Sequence, residues 1–184
     1  MTLKWTSLLL SFSPIKDTAT PDFVQAWQLY EEAFPEEERR SLEQQRTLLP
    51  CPNYSFEAIS LDGEICGIIG YWQQPGFLFL EHFAVDARKR GTGIGSQALG
   101  QFLQGKQQPV VLEVEPPTDQ LTQRRVEFYT RAGFCLNEFS YRQPPYSPEK
   151  PWVPLQLMTF PAALSPVAFE QVRSQLYQVV YQQA

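Results

Sequence analysis

Arg88, Lys89 and Arg90 stand directly before Gly91, Gly93 and Gly95 in an otherwise largely apolar stretch of this chain. Residues of these types suit an anion. The first turn of a helix leaves backbone N–H groups without intrahelical partners and carries partial positive charge. Glycines let a phosphate come close to the main chain because no Cβ stands in the way. The spacing Arg88-x-x-Gly91-x-Gly93 is neither the dinucleotide fingerprint G-x-G-x-x-G nor a P-loop, which requires Gly-Lys-Ser/Thr. Two readings stay open on these residues alone: a phosphate cradle, or a tight turn beside a solvated basic face.

The elements on either side decide where such a turn would sit. Phe77–Val85 is an apolar, aromatic run of strand length, and from Ile94 the residues Ala98, Leu99, Phe102 and Leu103 recur at helical spacing. The unit is therefore strand, glycine-rich turn, helix. Downstream, Val110–Glu115 is a second strand-like run broken by Pro116-Pro117. Thr122–Ala132 then reads as a helix closed by Gly133 and followed by Phe134.

Three separated motifs carry a resemblance. Val85 followed by Arg88-x-x-Gly91-x-Gly93, the strand Leu112-Glu113-Val114, and Phe128-Tyr129-x-x-x-Gly133-Phe134 together resemble the GNAT superfamily of acetyl-CoA-dependent N-acetyltransferases, over residues 8–160. The resemblance implies an α/β fold of α+β type, with a central mixed, mostly antiparallel twisted sheet flanked by helices. It implies an acyltransferase that moves the acetyl group of acetyl-CoA, as co-substrate, directly to a primary amine of a small molecule or peptide in a ternary complex. The pantetheine arm would lie along the central strand against Phe83, Ala84 and Val85, with the Phe83 N–H aimed at the thioester oxygen. The pyrophosphate would sit on the amides from Arg90 through Gly91, Thr92, Gly93, Ile94 and Gly95 to Ser96, with Arg88 and Lys89 beside it. Thr122 stands where many relatives carry Asn, and the residues Pro116–Leu121 lengthen the loop beside the acceptor site. Both are departures from the branch that acetylates protein N-termini.

Tyr129 is the expected general acid. Phenol and thiol pKa values are near one another in reference peptides, at about 10 and about 8.5. Two carboxylates compete for the base: Glu81 on the central strand, and Glu113 in the Leu-Glu-Val position. Strand alternation puts His82 on the face opposite Glu81 unless the strand bulges. The runner-up function is a non-catalytic acyl-CoA-binding sensor or partner-binding module on the same fold.

Composition bounds the rest. The 184 residues are 43% hydrophobic, ample for one core, and one domain is expected over 1–184. A net charge of −5 argues against nucleic acid as partner. Cys51, Cys66 and Cys135 are scattered, which suggests reduced thiols in a cytoplasmic protein and no metal site. No run of 18 apolar residues predicts a membrane span. The opening MTLKWTSLLLSFSP only faintly imitates a signal peptide, and Ser7–Ile15 is better read as a first strand.

The remaining segments supply the frame. Pro21–Phe34 reads as a helix, and Glu36-Glu37-Glu38 with Arg39-Arg40 as the opening of a second helix to about Leu49. The resemblance sets Phe34, Arg39 and Arg40 beside the acceptor. Tyr54–Leu61 and Glu64–Trp72 form a hairpin around Asp62-Gly63, and Phe134–Gln143 and Val153–Phe160 form the closing strands. The proline-rich loop between these last two carries Tyr146 and Trp152. With Tyr141 and Arg142 it suggests either an aromatic lid or a packed surface loop. An additional helix at 165–183 presents Phe169, Val172, Leu176, Val179 and Val180 on one face, for packing in cis or for a homodimer contact.

Overall fold

A computed structural model describes residues 10–183. Among them seven strands form one twisted sheet in the order β1-β2-β3-β4-β5-β7-β6. The strands are β1 (Leu10–Pro14), β2 (Tyr54–Leu61), β3 (Glu64–Gln74), β4 (Phe77–Val85), β5 (Val110–Val114), β6 (Cys135–Gln143) and β7 (Val153–Phe160). Every neighbouring pair is antiparallel except β4 and β5. That exception follows from the connection: a helix returns the chain to the same edge of the sheet, which parallel neighbours require. Residues 7–9 of the expected first strand lie outside the described residues. No helix among the described residues is long and apolar enough to cross a membrane.

Two layers of helix cover the sheet. On one face α1 (Pro21–Ala33), α2 (Leu42–Leu48) and α5 (Pro166–Gln175) enclose a core of Phe23, Tyr30, Leu49, Phe56, Phe79, Val111, Leu157, Phe169 and Leu176. On the other, α3 (Ile94–Leu103) and α4 (Gln120–Arg131) bury Ile94, Ala98, Leu99, Phe102 and Tyr129 against Leu78, Leu80, Val110 and Leu112. Alternate residues of each strand feed the two cores, the period-two pattern of a sheet covered on both sides.

The expected second helix does not begin at Glu36. Glu36–Glu38 form a single 3₁₀ turn and Arg39 is extended, with φ −134° and ψ 156°. Helix α2 starts only after Ser41, whose hydroxyl accepts from the Gln44 N–H while the Gln44 side chain accepts from the Ser41 N–H. A capping box satisfies two orphan donors at once, so it sets the helix start more firmly than a run of acids does. The C-terminal segment also differs from one continuous helix. After α5 the residues Leu176–Val180 form a π turn closed by Tyr181 N–H to Leu176 O at 3.1 Å. Phe169, Val172, Leu176 and Val180 are buried in cis, but Val179 is 42% exposed and leaves the apolar face.

Candidate active site

Strand β4 pairs with β3 along its length but with β5 only at Leu78–Val110, Phe79–Val111 and Leu80–Leu112. Beyond those pairs the two strands part, and a cleft of about 640 Å³ opens between them. Its walls are β4 from Leu80 to Val85, β5 from Leu112 to Val114, the glycine loop, α4 and the α1–α2 link. Because it passes through the sheet, the cleft is reached by groups from both faces.

The acids occupy the face of α1 and α5. Phe77, Phe79 and Glu81 alternate towards that face, and then the register slips: Gly70 pairs with His82 while Tyr71 pairs with Leu80, leaving Glu81 unpaired. This bulge reverses the alternation, so His82 and Ala84 face the same side as Glu81, and Phe83 and Val85 turn to the other. Glu81 is fully enclosed. Its carboxylate accepts from Arg40 Nη1 at 2.6 Å, Trp72 Nε1 at 2.9 Å and the Tyr146 hydroxyl at 2.8 Å. The side chains of Arg40 and Glu81 are 6% and 0% exposed. Burial opposes charge on Glu81, but the Arg40 guanidinium and its hydrogen bonds hold the carboxyl well below the ordinary range. A buried ion pair of this kind is a framework, since removal of either partner strands the other charge. His82 Nε2 donates to the Glu38 carbonyl at 3.0 Å, and its ring packs edge-on against Tyr30 and Phe34.

Glu113, on the same face of β5, is held differently. Its carboxylate accepts from the hydroxyls of Tyr141 and Tyr181, the latter at 2.7 Å. Among the described residues no cation bonds it. Burial raises its pKa to about 8, the two phenols pull it back, and the charges of Glu81 and Glu38 add to the rise. Glu81 and Glu113 thus line one cleft with opposite protonation tendencies.

The face of α3 and α4 supplies the remaining groups. The Tyr129 ring packs on Phe128 and Phe134, and its hydroxyl has no protein partner among the described residues. Burial pushes this phenol up to about 12. Gly91 and Gly93 have φ of 78° and 86°, a region L side chains rarely occupy, and a Cβ at either would meet open space. Gly93 is the N-cap of α3 and has no side chain to satisfy that helix's first amides. Lys89 and Arg90 of the glycine loop line the cleft, as do Arg124, Arg125 and Arg131 of α4, of which Arg125 pairs with Glu115 and also acts on Glu38. Uncapped amides and cations beside an open loop fit a phosphate-bearing group. The cleft therefore combines a basic glycine loop with buried acids on β4 and β5, which the net charge of −5 conceals.

Several expected site residues lie elsewhere. Arg88 is 84% exposed in its side chain and forks onto Asp86, outside the cleft lining. Thr122 is a capping-box residue bonded to Asp119, while the Thr92 hydroxyl donates to the Lys89 carbonyl and the Ile94 side chain enters the core, placements that leave the expected role of their main-chain amides as it was. Arg40 is turned inward to Glu81, and Arg39 pairs with Glu31 at 3.0 Å, so of that trio only Phe34 lines the cleft. Of the four aromatic-lid residues, Tyr146 reaches the cleft directly and Tyr141 reaches Glu113. Trp152 packs on Tyr177 and under Arg142. Tyr181 also bonds Glu113, and no motif in the sequence marks it. The only hint was a tyrosine one residue beyond the terminal apolar stripe.

The fold and the cleft can be set beside known proteins. The sequence profile described as "Acetyltransferase (GNAT) family" matches residues 22–134. A GNAT-family protein from Bacteroides thetaiotaomicron is 33% identical, with a TM-score of 0.89 over 95% of this chain and 99% of its own. The ribosomal-protein-S18-alanine N-acetyltransferase of Escherichia coli shares the fold at 17% identity and TM-score 0.59, covering 85% of this chain and 96% of its own. An aminoglycoside 6'-N-acetyltransferase complexed with coenzyme A does so at 18% identity and TM-score 0.57, covering 81% and 95%. No curated protein matches the chain. On the profile match and the close relative, this chain belongs to the GNAT acetyltransferase family and is an acyltransferase.

Proposed function

We propose that the protein transfers the acetyl group of acetyl-CoA directly to a primary amine of a small molecule or peptide, with Glu113 as general base. The observation that carries this reading is the Glu113 carboxyl in the opening between β4 and β5, with its pKa raised to about 8. A protonated primary amine near the lysine value of about 10.4 lies about six units above an ordinary carboxylate, but only about two and a half above this one. A base poised near the working pH is effective in that transfer. Glu81, pinned by Arg40, is a poor proton acceptor and is assigned to positioning.

When bound, the coenzyme A thioester supplies the activated acetyl group. Lys89, Arg90 and the amides of Gly93, Gly95 and Ser96 would hold its phosphates, and the unpaired edge of β4 at Phe83–Val85 would face its arm. The aminoglycoside-acetylating relative holds coenzyme A, which supports this assignment. Cys51, Cys66 and Cys135 do not line the cleft, which favours direct transfer over an acyl-cysteine route. Tyr129 keeps its phenolic proton and donates a hydrogen bond towards the departing sulfur. With the phenol at about 12 and a thiol near 8.5, complete proton transfer is uphill by roughly 5 kcal/mol. Hydrogen-bond donation carries no such cost.

The test is acetyl-CoA-dependent thiol release in a panel of small primary amines and peptides with free N-termini. At least one acceptor should raise the rate over water in the wild type and fail to do so in Glu113→Gln. An unaltered rate in Glu113→Gln would refute the base assignment. Failure of every amine to accelerate thiol release would instead favour a non-catalytic binding module.

A further inference from the structure

The C-terminal segment beyond the matched residues 22–134 reaches back to a carboxylate of the cleft, Glu113. Helix α5 is anchored by Phe169 and Val172, and the π turn that follows changes the rotation of the chain. In a continuing α-helix Tyr181 would stand about 140° round from Leu176. The i→i+5 closure instead brings it inward, 5% exposed, with its hydroxyl 2.7 Å from Glu113 Oε2. Inserted π turns of this kind recur at functional sites. The Tyr181 ring packs on Tyr146 at a centroid distance of 5.3 Å, and the Tyr146 hydroxyl bonds Glu81. The two acids are thus joined through two tyrosines from different parts of the chain whose rings pack at a tilt.

We infer that Tyr181, behind the cleft lining, is a positioning residue for Glu113, so that the C-terminal turn sets the orientation and basicity of the base. This rests on the reading of Glu113 as the base. With Tyr141 on Oε1 and Tyr181 on Oε2, one direction on each oxygen is taken, the carboxylate plane is fixed, and the other directions remain for the proton. The groups that face Glu113 are Tyr141 from β6, Tyr181 and, further off behind Tyr141, Tyr177 from the terminal turn, Tyr146 from the β6–β7 loop, Glu81 from β4 and Glu38 from the α1–α2 link. Arg40 lies behind Glu81 and is neutralised by it. The acids favour the protonated carboxyl and the phenols favour the ionised one. Deleting the Tyr181 hydroxyl removes a donor to the charged form and so raises the Glu113 pKa.

The experiment compares Tyr181→Phe with Tyr177→Phe in the full chain. Tyr177 lies on the same turn, but its hydroxyl donates to the Arg142 carbonyl at 2.6 Å. A carboxyl NMR titration, with the Glu113 signal assigned by its loss in Glu113→Gln, reads the pKa without turnover. The acid limb of kcat/KM for the acceptor amine reads it in catalysis. Tyr181→Phe should move both upward by about one pH unit, and Tyr177→Phe, which removes no hydrogen bond to Glu113, should move both far less. If neither the titration nor the limb moves in Tyr181→Phe while Glu113→Gln is inactive, Tyr181 is a packing residue and the inference falls alone. If Glu113→Gln retains wild-type turnover, the base reading falls and takes this inference with it.

Discussion

A carboxyl that stays protonated inside the folded protein makes stability fall as pH rises, and Glu113→Gln measures the effect. In the unfolded chain Glu113 titrates near its ordinary 4.5, and in the folded one at about 8. Below 4.5 both states hold the proton and nothing is lost. Between the two values the unfolded state gives up the proton while the folded state keeps it, so each pH unit favours unfolding by about 1.4 kcal/mol. Above about 8 the loss is complete. From pH 5.5 to 8 the wild type should lose roughly 3 kcal/mol relative to Glu113→Gln, whose amide mimics the protonated carboxyl without titrating. For a chain of this length that is a melting-temperature gap widening by roughly 6–12 °C. Other carboxyls act in the opposite direction, including Asp86, held down to about 2 by Arg88. The difference between the two proteins is therefore the quantity to follow, by thermal denaturation in a pH series. Parallel curves across that range would mean that Glu113 titrates normally, and its assignment as base would lose its physical support.

Arg40→Ala should cost about 3–5 kcal/mol by leaving the Glu81 carboxylate buried and alone, whereas Arg40→Met combined with Glu81→Leu should recover most of it. Thermal melts of the two variants decide this. Tyr129→Phe should lower kcat about 10- to 100-fold, the loss of one hydrogen bond to a charged sulfur, with the melting temperature nearly unchanged. Acetyl-CoA at about 100 times its dissociation constant should stabilise the wild type by about 2.7 kcal/mol, roughly 5–10 °C. Gly93→Glu should abolish that rise in the same assay, because it sets a carboxylate at the uncapped end of α3.

The topology was legible wherever local pattern and tertiary role agree. The alternation in Tyr54–Leu61, the hairpin at Asp62-Gly63 and the strand-turn-helix of Phe77–Leu103 all stand in the structure as the residues suggest. What was not legible depends on partners distant in sequence. Glu36–Glu38 carries acids suited to a helix start, yet Ser41 and Gln44 make the better cap, and Arg40 is drawn inward by a carboxylate 41 residues away. The bulge at Glu81 leaves no mark in an aromatic run that is apolar on both faces, so the siding of His82 stayed conditional on it. Tyr181 escaped notice because a π turn breaks the 3.6-residue count on which the helical reading of 165–183 relied. Of the candidate site, the carboxylates, Tyr129 and the glycine loop could be named from their motifs. Which acid is charged could not, since that turns on Arg40, Tyr141 and Tyr181.

The parting of β4 from β5 has a consequence for how the molecule can be improved. Only three residue pairs stitch the β1–β4 half of the sheet to the β5–β7–β6 half, and they lie at one end. The protein therefore carries a half-open seam through the middle of its main sheet. Substitutions that draw β5 along Glu81–Val85 would satisfy main-chain groups, rigidify the domain and raise its melting temperature. The same closure would fill the passage between β4 and β5 through which groups from the two faces meet. Selection for heat resistance at this seam should accordingly return variants that are sturdier and inert.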